Sequence, residues 1–144
     1  VGGNMELKGH VHKVQYYETD MMGITHHSNY IRWMEEARGQ FLDEIGWNYK
    51  KFEDEGIVSP VISLSVDYKH PTRYEDEVFI KVNVIEFKGV KLKVGYVMKN
   101  AEGTVVCEAE STHCFVDKEG VPVRMKKLYP DFCELLSNMA NETV

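Results

Sequence analysis

Hydrophobic and polar positions along this chain fall into two rhythms, one repeating every second residue and one every three to four. Residues 7–17 follow the first. His10, His12, Val14 and Tyr16 share one face and Val11, Lys13, Gln15 and Tyr17 the other, which predicts a strand. The stretch Glu18-Thr19-Asp20-Met21-Met22-Gly23 then interrupts the pattern. Beyond it Tyr30, Met34, Ala37, Phe41 and Ile45 recur at helical spacing. Ile31, Trp33 and Leu42 widen that stripe, and Arg32, Glu35, Glu36, Gln40, Asp43 and Glu44 fill much of the remainder. The spacing predicts a long helix over 28–45, with Ser28 or Asn29 as N-cap and Gly46 at its end. A shorter helix is expected over 48–55, stopped by Gly56.

Four strands follow. In 57–68, Val58, Pro60, Ile62, Leu64, Val66 and Tyr68 alternate with Ser59, Ser63, Ser65 and Asp67. Strands over 78–87 and 90–99 are separated by Lys88-Gly89, a two-residue hairpin signal. Leu92, Val94, Tyr96 and Met98 alternate there with Lys91, Lys93 and Lys99. Asn100-Ala101-Glu102-Gly103 turns the chain into 104–116, where Val105, Cys107, Ala109, His113 and Phe115 face one way and Glu108 and Glu110 the other. Asp117-Lys118-Glu119-Gly120 closes that strand, and Pro130 leads into a last helix over 132–139. Clean alternation means a sheet with one wet face, and the long helix is the natural cover for the dry one. The expected class is α+β: a five-stranded antiparallel sheet wrapped around one long helix.

Composition narrows the picture. The chain has 144 residues, 43% of them apolar, four prolines and no Ser/Gly-rich linker, which fits one domain over 5–144. Val1-Gly2-Gly3-Asn4 ahead of Met5 reads as a cloning remnant. Acids outnumber bases 23 to 17, for a net charge of −6, which argues against nucleic acid or an anionic membrane as partner. A phosphate-bearing small ligand needs only a few local Lys or Arg residues and stays open. No run of 18 apolar residues exists and no signal peptide is recognisable. Cys107, Cys114 and Cys133 form no disulfide framework, so a reducing cytoplasm is expected. Cys107 and Cys114, seven apart on one strand, point to opposite faces, and Cys107 is expected in the core.

The densest set of chemically capable side chains is 16–30, YYETDMMGITHHSNY, between the first strand and the helix. A carboxylate there lies near a helix start, whose free N–H groups favour developing negative charge. The run from Tyr16 to Ile24, with His27, Tyr30 and the segment Trp33 through Arg38, resembles the opening motif of the 4-hydroxybenzoyl-CoA thioesterase family and its short acyl-CoA thioesterases. Pro71 and Tyr74-Glu75-Asp76 before a strand agree with it. The resemblance spans roughly 11–116 and implies the hotdog fold, an acyl-CoA substrate, no cofactor and thioester hydrolysis. By position it makes Asp20 the catalytic carboxylate, acting as general base or as nucleophile. Gly23 becomes the glycine that lets the loop approach substrate, and His27 the residue whose N–H polarises the thioester carbonyl. Met21 and Met22 replace the small residues common in the family and bear on the acyl pocket, with Tyr30 beside them. Lys69 and Arg73, with Lys91 and Lys93, are candidates for CoA phosphates, although each alone reads as ordinary surface charge.

Other readings stand beside these. An acyl-carrier-protein thioesterase, a hydratase-type hotdog enzyme and a non-catalytic acyl-CoA-binding protein share the fold. Adjacent histidines are expected to diverge, so no metal is expected at His26, His27 and Asp20, and His10 and His12 read as a surface or packing pair. Glu35 and Glu36 read as a solvated or ion-paired face. Finally, 57–66 is a long strand with few charges, the edge expected to pair with its own copy. The expected assembly is a homodimer or homotetramer, and the hotdog resemblance implies that Asp20 of one subunit faces the strand region near Ile62 and Ser63 of the other, with Ser59 and Ser65 close by.

Overall fold

The computed structural model describes residues 7–142, so the 1–4 remnant expected from the sequence lies outside the described residues. Strand β1 (His10–Lys13) leads through a 3-10 turn (Tyr16–Glu18) to helix α1 (Ser28–Glu44). After α2 (Tyr49–Asp54) come β2 (Ile57–Val58), β3 (Val61–Tyr68), β4 (Glu77–Phe87), β5 (Lys91–Lys99), β6 (Val105–Cys114) and β7 (Val116–Asp117). Helices α3 (Met125–Leu128) and α4 (Pro130–Glu142) end the chain. Five strands form one antiparallel sheet in the order β1-β4-β5-β6-β3, and β2 and β7 pair separately. The expected sheet around one long helix is present, which is the hotdog arrangement.

Helix α1 buries Tyr30, Trp33, Met34, Ala37, Phe41 and Leu42, most of the stripe that its spacing marks. Its start differs from expectation. His27 is the N-cap, already in helical backbone, and its own side chain makes no capping hydrogen bond. Asn29 instead turns its amide back to donate to the carbonyls of Glu18 and His26, at 3.0 and 3.2 Å, which ties the helix to the loop before it. The end is as expected. Gly46 takes φ +86°, its N–H donates to Asp43 O and that of Trp47 to Leu42 O, a paired C-terminal closure that only glycine adopts without strain. Trp47 is thereby turned into an aromatic cluster with Phe52, Tyr129 and Phe132, with contacting centroids 5.0 to 6.0 Å apart.

Strand expectations need correction in four places: β1 stops at Lys13, with Tyr16 and Tyr17 in the 3-10 turn, and 104–116 divides into β6 and β7, the latter paired with β2. The hairpin loop is Lys88–Val90 and not a two-residue turn, with Gly89 at φ +92°. More consequentially, 57–68 is not one strand. Pro60, which has no N–H to give a ladder, separates β2 from β3, and the register slips between Val61 and Ser63. Ile62 is the extra residue of that bulge. Val61 therefore joins Leu64, Val66 and Tyr68 on the side of the core, while Ser63, Ser65 and Asp67 face away.

β3 is an edge strand, and it is not protected as edges usually are. Val61, Ile62, Leu64 and Tyr68 are 40 to 47% exposed, and Asp67 is its single charge. Opposite it, β5 and β6 are covered: Val94, Met98, Val106 and Cys107 are at most 1% exposed. Cys107 is the core residue expected, its thiol pushed up to about 12 by burial and the nearby carboxylates of Asp67 and Glu108. The three cysteines are unbridged.

Candidate active site

The segment between the 3-10 turn and α1 is a compact built loop. The N–H of Gly23 donates to Asp20 O at 3.0 Å and that of Asp20 to Ile24 O at 2.8 Å, closing a turn with Gly23 at φ +79°, where a side chain would be strained. Asp20 Oδ1 accepts the N–H of Met22 at 2.8 Å, which fixes the carboxylate. Its second oxygen has no hydrogen bond among the described residues. Thr25 then anchors the loop to the segment after β3: its N–H donates to Thr72 O at 2.8 Å, and its hydroxyl meets that of Thr72 at 2.6 Å. Tyr30 OH reaches the same Thr72 hydroxyl at 3.0 Å, so Tyr30 is a buried brace here and not an exposed ligand contact.

At the helix start most N–H groups are occupied. Ser28 donates to His26 Nδ1, Asn29 to His26 O and Tyr30 to His27 O. The N–H of His27 forms no hydrogen bond among the described residues. Its carbonyl accepts from Tyr68 OH at 3.1 Å, so the last residue of β3 holds this peptide in place. The rings of His26 and His27 stack with centroids 4.3 Å apart, contrary to the expected divergence.

Glu18 is the buried anchor of the loop. Its carboxylate accepts from His12 Nε2, the Gln15 N–H and Trp33 Nε1, each at 2.8 Å, and its carbonyl accepts the His26 N–H. Burial works against ionisation of Glu18, but these donors outweigh it and hold the carboxyl below its ordinary range.

The remaining expected residues divide. Met21 and Met22 are fully exposed beside Asp20. Lys69 and Arg73 flank Thr72, exposed, and neither enters an ion pair among the described residues. Lys93 is paired with Glu110 at 3.3 Å. Ile62 and Ser63 are not brought to Asp20 within one chain. Six residues of strand separate Ile62 from Tyr68, about 20 Å at the usual rise.

Sequence reasoning missed a second feature. Toward the C-terminal half of α1 lies a cavity of about 330 Å³, walled by Phe41, Leu42, Phe52, Leu92, Phe115 and Phe132 and bordered by Pro60. Arg38 and His113, 75 residues apart in sequence and buried, border it in contact with one another. His113 Nε2 also meets Ser111 Oγ at 2.7 Å, and Ser111 meets Tyr96 OH at 2.8 Å. Arg38 pairs with Glu35 at 3.2 Å, and its Nε is buried without a hydrogen-bond partner among the described residues. Burial, aided by the Arg38 charge, pushes His113 down to about 4. Because the folded value is depressed, His113 supports the fold above the ordinary histidine range, and this support is lost as pH falls from about 6.5 toward 4. The expected loss is on the order of 3 kcal/mol in unfolding free energy, read from urea midpoints at pH 7 and 4.5. His113→Gln should flatten the decline most cleanly in the upper part of that window, because the contribution of the lowered Glu18 carboxyl begins to fall only near its ordinary value of 4.5.

The sequence pattern of the Thioesterase-like superfamily matches residues 14–136. The chain belongs to this superfamily. YneP of Bacillus subtilis (strain 168), provisionally named an acyl-CoA thioesterase, is 36% identical over 121 residues, 83% of this chain and 88% of YneP. The acyl-CoA thioester hydrolase YbgC of Escherichia coli O157:H7 is 29% identical over 114 residues, 79% of this chain and 82% of YbgC. Among solved structures, the DHNA-CoA thioesterase of Staphylococcus aureus superposes with a TM-score of 0.88 at 29% identity, covering 94% of this chain and 93% of that one. Family, hotdog fold and enzyme class, a thioester hydrolase, are as the sequence led us to expect. Among the described residues no helix is long and apolar enough to cross a membrane.

In chemical terms, the described residues offer a fixed carboxylate, a peptide N–H without a hydrogen bond seven residues on, and, in the segment that Thr72 ties to this loop, two cations without an ion pair.

Proposed function

We propose that this thioesterase hydrolyses an acyl-CoA at the loop carrying Asp20. The observation that carries the reading is that one short loop holds both a half-free carboxylate and the His27 N–H, which forms no hydrogen bond among the described residues. In this reading the thioester carbonyl oxygen points at the His27 N–H, which takes the charge that develops on it. Asp20 either removes a proton from the attacking water or attacks the carbonyl itself to form a mixed anhydride that water then opens. Collapse of the tetrahedral intermediate expels the CoA thiolate, a good leaving group that needs no strong acid. Gly23 keeps the turn open, Met21 and Met22 offer mobile apolar contacts, and Lys69 and Arg73 supply charge for the CoA phosphates.

The site is shared between two subunits in this reading. Antiparallel two-fold pairing of β3 about its midpoint sets Ile62 and Ser63 of the partner subunit opposite the Tyr68 end, where His27 stands. The Pro60 side of the partner's cavity comes to the same place, which gives the acyl group an apolar lodging.

The experiment is a panel of short, long and aromatic acyl-CoAs and an acyl-carrier-protein thioester, followed by free-thiol release. Turnover of the CoA esters supports the reading. Turnover of the carrier-protein ester alone replaces CoA by a carrier protein, and saturable acyl-CoA binding without thiol release leaves a binding protein. Dialysis against a chelator should leave CoA-ester turnover intact, since Asp20 is held by the Met22 N–H and the ring of His26 by Ser28, at 2.8 Å each.

A further inference from the structure

We propose that His10, His12 and Glu36 form a binding site for a divalent transition-metal ion of the zinc type, apart from the loop carrying Asp20. β1 sets His10 and His12 on one face. Across from them, α1 presents Glu36 and, one turn on, Gln40. His10 Nε2 lies 3.1 Å and His12 Nδ1 3.3 Å from the same oxygen, Glu36 Oε2. One ligand atom from each of the three residues falls within 4.8 Å of the others.

The outer ring nitrogens decide what faces inward. His12 Nε2 meets the Glu18 carboxylate, an acceptor only, so it donates. His10 Nδ1 meets Gln40 Oε1 at 2.6 Å. The Gln40 amide nitrogen is committed to Gly9 O and Glu44 Oε1, so this oxygen too is an acceptor and His10 Nδ1 donates. In two neutral rings the inward atoms, His10 Nε2 and His12 Nδ1, then both carry lone pairs, and both confront a carboxylate oxygen. Three acceptors converge with nothing positive between them. Placing a proton on each inward nitrogen would put two imidazolium charges side by side, whereas a single divalent cation resolves all three contacts at once.

The distances from the carboxylate oxygen to the two rings suit such an ion. Ligand bonds of about 2.0–2.1 Å at tetrahedral angles place neighbouring ligand atoms about 3.3 Å apart. The two nitrogen–oxygen separations already have that length. Gln40 and Glu18 supply the outer partners that orient metal-bound imidazoles. The side chain of Glu36 is 48% exposed, which leaves a way in and room for a water as fourth ligand. Glu18, whose carbonyl accepts the His26 N–H, is already held by the Gln15 N–H and Trp33, so an ion here stands apart from the chemistry of the active-site loop.

The test uses chelator-treated protein titrated with Zn²⁺ by calorimetry and with Co²⁺ by visible absorption. One ion per chain is expected, with the strong cobalt bands of a tetrahedral site and a melting temperature that rises with zinc concentration. Glu36→Gln, a surface change that preserves shape, should lower zinc affinity by more than about tenfold, and Gln40→Leu by about tenfold with all three ligands still present. His10→Asn is the independent ligand variant, with circular dichroism to verify folding. Absence of saturable binding at one ion per chain, or affinity unchanged in folded Glu36→Gln and His10→Asn, would overturn the site.

Discussion

Replacing Asp20 by alanine is expected to lower kcat by about 10²–10⁴-fold, the usual range for a positioned acid or base. The fold should survive, because Asp20 is partly exposed and its side chain makes one hydrogen bond, to the Met22 N–H at 2.8 Å. The turn is also closed by backbone contacts from Asp20 to Ile24 and from Gly23 to Asp20, which alanine retains. Loss of turnover with KM little changed would place the effect in the reaction and not in binding. Asp20→Asn keeps the turn acceptor but neither base nor nucleophile, and should be nearly as slow. Wild-type turnover in a folded Asp20→Ala protein would remove Asp20 from the mechanism.

Charging the β3 edge should have a comparable effect from a distance. The wild-type chain is expected to sediment at no less than about twice its 16.6 kDa. Leu64 lies near the middle of β3 on the core side but keeps 40% of its surface exposed, which leaves a longer side chain room to turn outward at the open edge. Two-fold pairing would bring the two introduced charges close together and oppose assembly. Leu64→Arg should therefore sediment as a monomer with native circular dichroism. Its kcat/KM should fall by about 10²-fold or more, because the substrate loses the wall that positions it. A Leu64→Arg monomer with full activity would refute the shared site. A Leu64→Arg dimer would move the interface away from β3.

The candidate loop could be found in the sequence because its working parts are local. Asp20, Gly23 and His27 lie within eight residues, and turn chemistry acts over that range. The expected role of Tyr30 was less visible. Its position in the motif suggested contact with substrate, but its hydroxyl is spent on Thr72, 42 residues away. Which N–H at the helix start stays free was not readable either, since it depends on where the side chains of His26 and Asn29 turn.

The sequence by itself determined the elements and their buried faces. The alternation in β5 and the stripe of α1 record directly which side each element hides, because burial acts on single residues at the period of the backbone. Only the tertiary structure decided what meets across elements. The bulge at Ile62 reset the outward and inward sides of β3, and the packing of α1 over the sheet brought Arg38 against His113 of β6 beside an aromatic cavity. The packing of α1 on β1 likewise set Glu36 between His10 and His12, which alternation alone left as a surface pair. Strands and helices far apart in sequence choose their register by the sum of many weak contacts, so no short segment carries that information.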